Sequence, residues 1–142
     1  MFTVIVSCLL AIATTTLIHF EILGVLSNTL PKLGVPRRSK LLAVVFVALT
    51  SNAIQIYLYG FMIYFLVSYA NVGTLLGADG FSLVNCFYFS AEAYTSLGFV
   101  DIVPRGSIRL LVGAEALNGI LMIGWSASYL YIAMERYWNG GE

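Results

Sequence analysis

Three long apolar stretches constrain this chain more than anything else in it. They are "FTVIVSCLLAIATTTLIHFEILGVLSNTL" (residues 2–30), "KLLAVVFVALTSNAIQIYLYGFMIYFLVSYA" (40–70) and "SIRLLVGAEALNGILMIGWSASYLYIAMERYW" (107–138). A helix needs about 20 apolar residues to cross a hydrocarbon core about 30 Å thick, and each stretch is long enough. The 142 residues are 60% hydrophobic and 10% charged, whereas soluble domains carry about 25% charged residues. Such a chain cannot cover a water-facing surface, and it reads as a multi-pass membrane protein. The formal net charge is zero, and no basic stripe exists to follow phosphates, which excludes a nucleic-acid partner.

The basic residues set an orientation. Lys32, Arg37, Arg38 and Lys40 fall in "PKLGVPRRSK", Arg105 and Arg109 lie at the start of the last span, and Arg136 lies near its end. Short loops rich in Lys and Arg stay cytoplasmic. The expected topology puts the N-terminus outside, the first loop inside, the second loop outside and the C-terminus cytoplasmic, in a cell (inner) membrane. Tyr129, Tyr131, Tyr137 and Trp138 suit an interfacial aromatic belt at the inner end. The start imitates a secretory leader, since Ala11-Ile12-Ala13 resembles a cleavage site. No basic segment precedes it and the apolar run continues, so a retained helix is expected.

Between the second and third spans lies "FSLVNCFYFSAEAYTSLGFVDIVP". Phe81 to Tyr94 is apolar but too short to cross, a length that suits a re-entrant helix. The residues after it are polar and irregular. Irregular backbone at membrane depth is tolerated only where it is buried in protein or lines water. A short helix entering, then an extended segment returning, implies the wall of a water-filled path.

The returning segment, Thr95-Ser96-Leu97-Gly98-Phe99-Val100-Asp101 with Pro104 behind it, resembles the filter signature of the tetrameric potassium-channel superfamily, Thr-Thr-Val-Gly-Tyr-Gly-Asp. The resemblance covers spans two and three and their connection; the first span lies outside it. It implies an all-α membrane protein with three transmembrane helices, a re-entrant pore helix and a selectivity-filter strand, closed as a four-fold oligomer. The parts would be an N-terminal transmembrane helix (1–30), a cytoplasmic basic loop (31–40) and a pore module (41–138). Within the module fall an outer helix (41–70), a pore helix (81–94), the filter (95–101) and an inner helix (105–138).

A potassium ion leaves its water only if rings of oxygen replace the hydration shell. By the resemblance, the carbonyls of Ser96, Leu97, Gly98 and Phe99 and the Ser96 hydroxyl supply those rings, with Thr95 at the pore-helix end and Val100 closing the outer side. Inward carbonyls on consecutive residues require backbone of alternating handedness, for which glycine is the natural left-handed member. Val100 replaces the family's second glycine, and a β-branched residue at positive φ is an outlier. Phe99 lacks the hydroxyl of the family's Tyr. Both changes imply an outer end altered from the usual filter, passing potassium and, with weaker rejection, sodium. No cofactor is expected beyond these permeant monovalent cations. The resemblance also pairs Glu92 with Asp101 behind the filter, where two close carboxyls cannot easily both ionise.

Other residues carry weaker signals. Glu115, Asn118 and Gly119 share one face of the third span, and an intramembrane carboxyl faces a bundle interior or water. The resemblance makes Gly119, then Gly124, hinge candidates; close helix contact is the other use of glycine in a membrane. His19 and Glu21 point to different faces of the first span, and a lone histidine there serves as an interhelical hydrogen-bonding group or as a pH-responsive one. Cys8 and Cys86 sit in apolar surroundings and suit packing. No voltage-sensor arginine repeat is present, and little chain follows Trp138, so a gate is expected in the helices or the filter. No nucleophile–base set points to an enzyme. The rival readings are a non-selective or calcium-permeable pore using an Asp101 ring, and a non-conducting membrane scaffold or accessory subunit.

Overall fold

The computed structural model describes residues 1–77, 80–99 and 101–138. Four α-helices dominate: α1 (Phe2–Thr29), α2 (Arg37–Ala70), α3 (Leu83–Thr95) and α4 (Ile108–Trp138). Two short strands, β1 (Gly73–Gly77) and β2 (Ile102–Gly106), flank α3 in sequence, and a 3-10 turn, Leu30–Lys32, ends α1. Helices α1, α2 and α4 are each long and apolar enough to cross a membrane. At 13 residues, α3 is not.

Burial follows one stripe per long helix. On α1 it runs Val4, Ala11, Thr15, His19, Leu23, Leu26, and on α2 Val44, Ala48, Ser51, Gln55, Tyr59, Ile63, Leu66. Steps of three, four and seven residues keep each stripe on the face turned to its neighbours. The remaining faces expose large apolar side chains such as Leu9, Leu17, Phe46, Phe65, Leu117 and Leu121, as a lipid-facing surface requires. Two apolar clusters fill the interior. One surrounds α3 with Tyr59, Ile63, Cys86, Phe89, Tyr94 and Leu111; the other joins Leu23, Leu26, Leu30, Val44 and Ala133 at the opposite end.

Between those clusters lies a polar layer. The His19 ring is fully buried, with Ser51 Oγ and Gln55 Nε2 each 2.9 Å from Nδ1 and Ser126 Oγ 3.4 Å from Nε2. An amide nitrogen can only donate, so Nδ1 accepts from Gln55 and the ring proton sits on Nε2. The Trp125 ring lies against the imidazole, centroids 5.3 Å apart. Asn118 donates to Thr15 Oγ1 at 2.8 Å and to the Tyr59 hydroxyl at 3.2 Å. Side-chain hydrogen bonds thus bind α1 to α2 and α4.

The chain is mostly helical, as expected, and beside the helices β1 and β2 pair antiparallel, Gly73 opposite Gly106 and Gly77 opposite Ile102. Thr74, Leu75, Leu76, Ile102 and Val103 favour extended backbone, and Pro104 is tolerated because a two-stranded ladder has only edges. This ladder delays α4, which starts at Ile108 and not at residue 105. Nor do Arg37, Arg38 and Lys40 lie in a loop, since α2 starts at Arg37. Pro36 presets its own φ just before that start. At the far end Asn71, at φ 48°, closes α2 in the left-handed conformation.

The two ends of the bundle differ in charge. Lys32, Arg37, Arg38, Lys40 and Arg136 gather where α1 ends, α2 begins and α4 ends; Lys40 Nζ stands 5.4 Å from the Tyr137 ring centre. The opposite end holds the ladder and Met1, whose sulfur lies 3.7 Å from Ser107 Oγ.

Candidate conducting segment

Helix α3 is wedged between α2 and α4, and two glycines let it in. A Cβ on Gly60 of α2 would stand 2.5 Å from Phe87 Cδ1, and one on Gly119 of α4 would stand 2.1 Å from the Tyr94 carbonyl oxygen. At its start, Ser82 caps α3 by accepting from the Asn85 N–H at 3.1 Å. Midway, the Ser90 hydroxyl is 2.7 Å from the Ile56 carbonyl and also meets the Glu115 carboxyl. Glu115 is fully buried, and its Oε2 has no partner among the described residues.

The C-terminal end of α3 is tied down on all sides. Tyr94 is fully buried, its hydroxyl 2.9 Å from Asn52 Oδ1 and 3.0 Å from Gln55 Oε1. The Thr95 hydroxyl turns back to the Ala91 carbonyl at 2.6 Å. Ser96 N–H donates to Ala93 O and Leu97 N–H to Glu92 O, each at 3.1 Å. This pair of bonds is a Schellman closure, with Ser96 left-handed at φ 57°. Two residues on, Gly98 is left-handed again at φ 62°, and these are the positive-φ positions of the described stretch. Thr95 to Phe99 is exposed throughout, Leu97 at 63% and Phe99 at 60%. The backbone thus leaves the helix with reversed handedness at Ser96 and Gly98 and with its residues exposed.

The other residues singled out in the sequence fall as follows. Val100 lies outside the described residues. Asp101 is exposed and accepts from the Tyr88 hydroxyl at 3.4 Å. Glu92 is buried with Oε1 unpartnered among the described residues, and no hydrogen bond joins it to Asp101 there. Glu115, Asn118 and Gly119 share the face of α4 that packs inward on α1, α2 and α3, whereas Gly124 is exposed with nothing within 4 Å of a built Cβ. Among the described residues no three His, Cys, Asp or Glu side chains converge as a metal site. The sequence reading passed over Tyr94, Asn52, Gln55 and Ser126. For Gln55 the signal was present, because Ser51, Gln55 and Tyr59 recur at four-residue steps on one helix face.

Three spans with a short helix inserted between the last two define a multi-pass membrane protein. A family model described as ion channel matches residues 52–136, more than half of the chain. The chain belongs to that family, the two-helix, potassium-channel-like ion-channel domain. Neither a curated protein nor a solved structure matches it.

Proposed function

We propose that the chain forms one wall of a cation pore that conducts potassium passively and is closed by four copies. The observation that carries this reading is the Thr95–Phe99 segment: left-handed at Ser96 and Gly98, fully exposed, and inside the ion-channel match. Alternating handedness turns successive carbonyls to one side, as rings of ion-stripping oxygens demand. Backbone exposed at membrane depth must be covered by protein or line water. One chain supplies neither, so a cyclic assembly about the segment satisfies the requirement. In this arrangement Ser96, Leu97, Gly98 and Phe99 present carbonyls to the ion, and Thr95 seats the segment on α3. The exposed Phe99 ring brings no hydroxyl to brace the filter's outer half, which favours weaker rejection of sodium. The basic end, with five Lys and Arg residues, faces the cytoplasm of a cell membrane, and the ladder end with the N-terminus faces out.

The test is flux from liposomes holding the purified chain. Potassium should leave down its gradient, with a reversal potential for mixed potassium and sodium that favours potassium. Absence of any flux, with the protein folded, would overturn conduction and leave a scaffold. Equal permeabilities would instead make the pore non-selective. Gly98→Ala sharpens the experiment, because a Cβ there meets nothing within 4 Å. Within one chain the substitution acts through the backbone, at about 1–2 kcal/mol for a left-handed alanine, and should abolish flux without unfolding the chain.

A further inference from the structure

Helix α1 lies wholly before the ion-channel match at residues 52–136, yet one turn of it reaches the base of the candidate conducting segment twice. His19 and Thr15 are four residues apart on its buried face. From His19, Nδ1 takes a hydrogen bond from Gln55 at 2.9 Å, and the oxygen of the same amide lies 3.0 Å from the Tyr94 hydroxyl. From Thr15, Oγ1 takes a hydrogen bond from Asn118 at 2.8 Å, and Asn118 adjoins Gly119, the residue against which the Tyr94 carbonyl rests. Both partners of the Tyr94–Gly119 contact are therefore held from α1. Tyr94 is the last buried residue before Thr95.

We propose that Thr15 and His19 are positioning residues, through which α1 sets the seat of the Thr95–Phe99 segment. Gln55 cannot serve Tyr94 equally well without His19. With Nδ1 in place, the amide nitrogen is held by the ring at 2.9 Å and by the Ser51 carbonyl at 3.3 Å, and the oxygen is turned to Tyr94; without the ring, only the longer Ser51 bond keeps that orientation. Tyr94 would then keep Asn52 and a loosened Gln55. Loss of the Thr15 hydroxyl frees Asn118 in the same manner, leaving it Tyr59 at 3.2 Å. Buried polar groups that share donors act as a unit, so the two arms reinforce each other.

The functional meaning rests on the conduction reading, but the test need not. Backbone amide exchange is to be followed in the reconstituted full chain for wild type, His19→Ala, His19→Gln, Thr15→Val, Tyr94→Phe and the His19→Ala/Tyr94→Phe pair. His19→Ala and Tyr94→Phe should each speed exchange of Ser96 and Leu97 by roughly two- to tenfold, the range one net hydrogen bond sustains. The double variant should do no more than the stronger single one, since residues in one network are not additive. His19→Gln, which keeps an acceptor, should restore much of the protection. Exchange in the β1–β2 ladder should stay as in wild type. Unchanged exchange at Ser96 and Leu97, or an equal rise in all segments, would overturn the proposal. If His19→Ala fails to fold, Thr15→Val and Tyr94→Phe, which keep side-chain volume, decide it in the same way. Flux from the same liposomes separates the two readings: a silent wild type strikes conduction, while exchange alone judges the positioning.

Discussion

Gly119 and Gly124 stand five residues apart on α4 and face different constraints. At Gly119 a methyl group would enter the Tyr94 carbonyl, 2.1 Å away, and backbone cannot swing aside as a side chain can. Gly119→Ala should therefore cost about 1–3 kcal/mol, as overpacking does, and lower the thermal unfolding midpoint in detergent. Gly124 meets nothing within 4 Å, so Gly124→Ala should leave that midpoint unchanged or raise it, by up to about 1 kcal/mol of helix propensity. A fall for Gly124→Ala as large as that for Gly119→Ala would mean that another surface covers position 124. Asn118 makes the complementary case. Interhelical hydrogen bonds in membranes average about 0.6 kcal/mol, so Asn118→Ala, which loses two, should cost about 1.2 kcal/mol, towards the lower end of the Gly119→Ala range. The same unfolding measurement ranks all three.

At the level of elements, α1 is the part that lies outside the family match. A chain starting at Arg37 would leave Ser51, Gln55, Ser126 and Asn118 without partners from α1 and uncover the stripe from Val44 to Tyr59 on α2. Such a truncation should accumulate poorly in membranes and unfold at a lower temperature than the full chain. Co-expressing residues 1–36 as a separate helix should restore part of the loss. The spans themselves were legible because length and hydropathy are local properties, and α3 because Phe81–Tyr94 is apolar yet short. The ladder was not legible. "NVGTLLGADG" reads as a turn cluster by its glycines, and its partner Ile102–Gly106 lies far along the chain, so pairing with it is not a local property. For the same reason Pro104 suggested a helix start that the ladder postpones to Ile108. In the candidate site, the glycine at 98 and the shared face of Glu115, Asn118 and Gly119 were readable, whereas it was not readable whether that face meets protein or a water-filled cavity. Which face of an apolar helix meets protein and which meets lipid depends on neighbours, and α1 was the neighbour without a counterpart in the resemblance.

The whole molecule is polarised along one axis, with the basic cluster at one end and the ladder, Met1 and the candidate segment towards the other. With Cys8 and Cys86 replaced, a membrane-impermeant thiol reagent added outside should modify Phe2→Cys and spare Arg37→Cys. The opposite pattern would invert the orientation and place the candidate segment near the inner face. The ladder also carries a consequence for the order in which the molecule is assembled. Its strands pair residues from 25 to 33 positions apart, Gly77 with Ile102 and Gly73 with Gly106, so closing it shuts a long loop before any contact rewards the closure. Helices α1 and α2 can enter the bilayer and meet as soon as both are synthesised, since their contacts need nothing downstream. Helix α3 finds one half of its seat, Gly60 of α2, already made, but the other half, Gly119, belongs to α4, which is made after it. The packing of α3, and with it the support of the Thr95–Phe99 segment, is therefore complete only when α4 is in place.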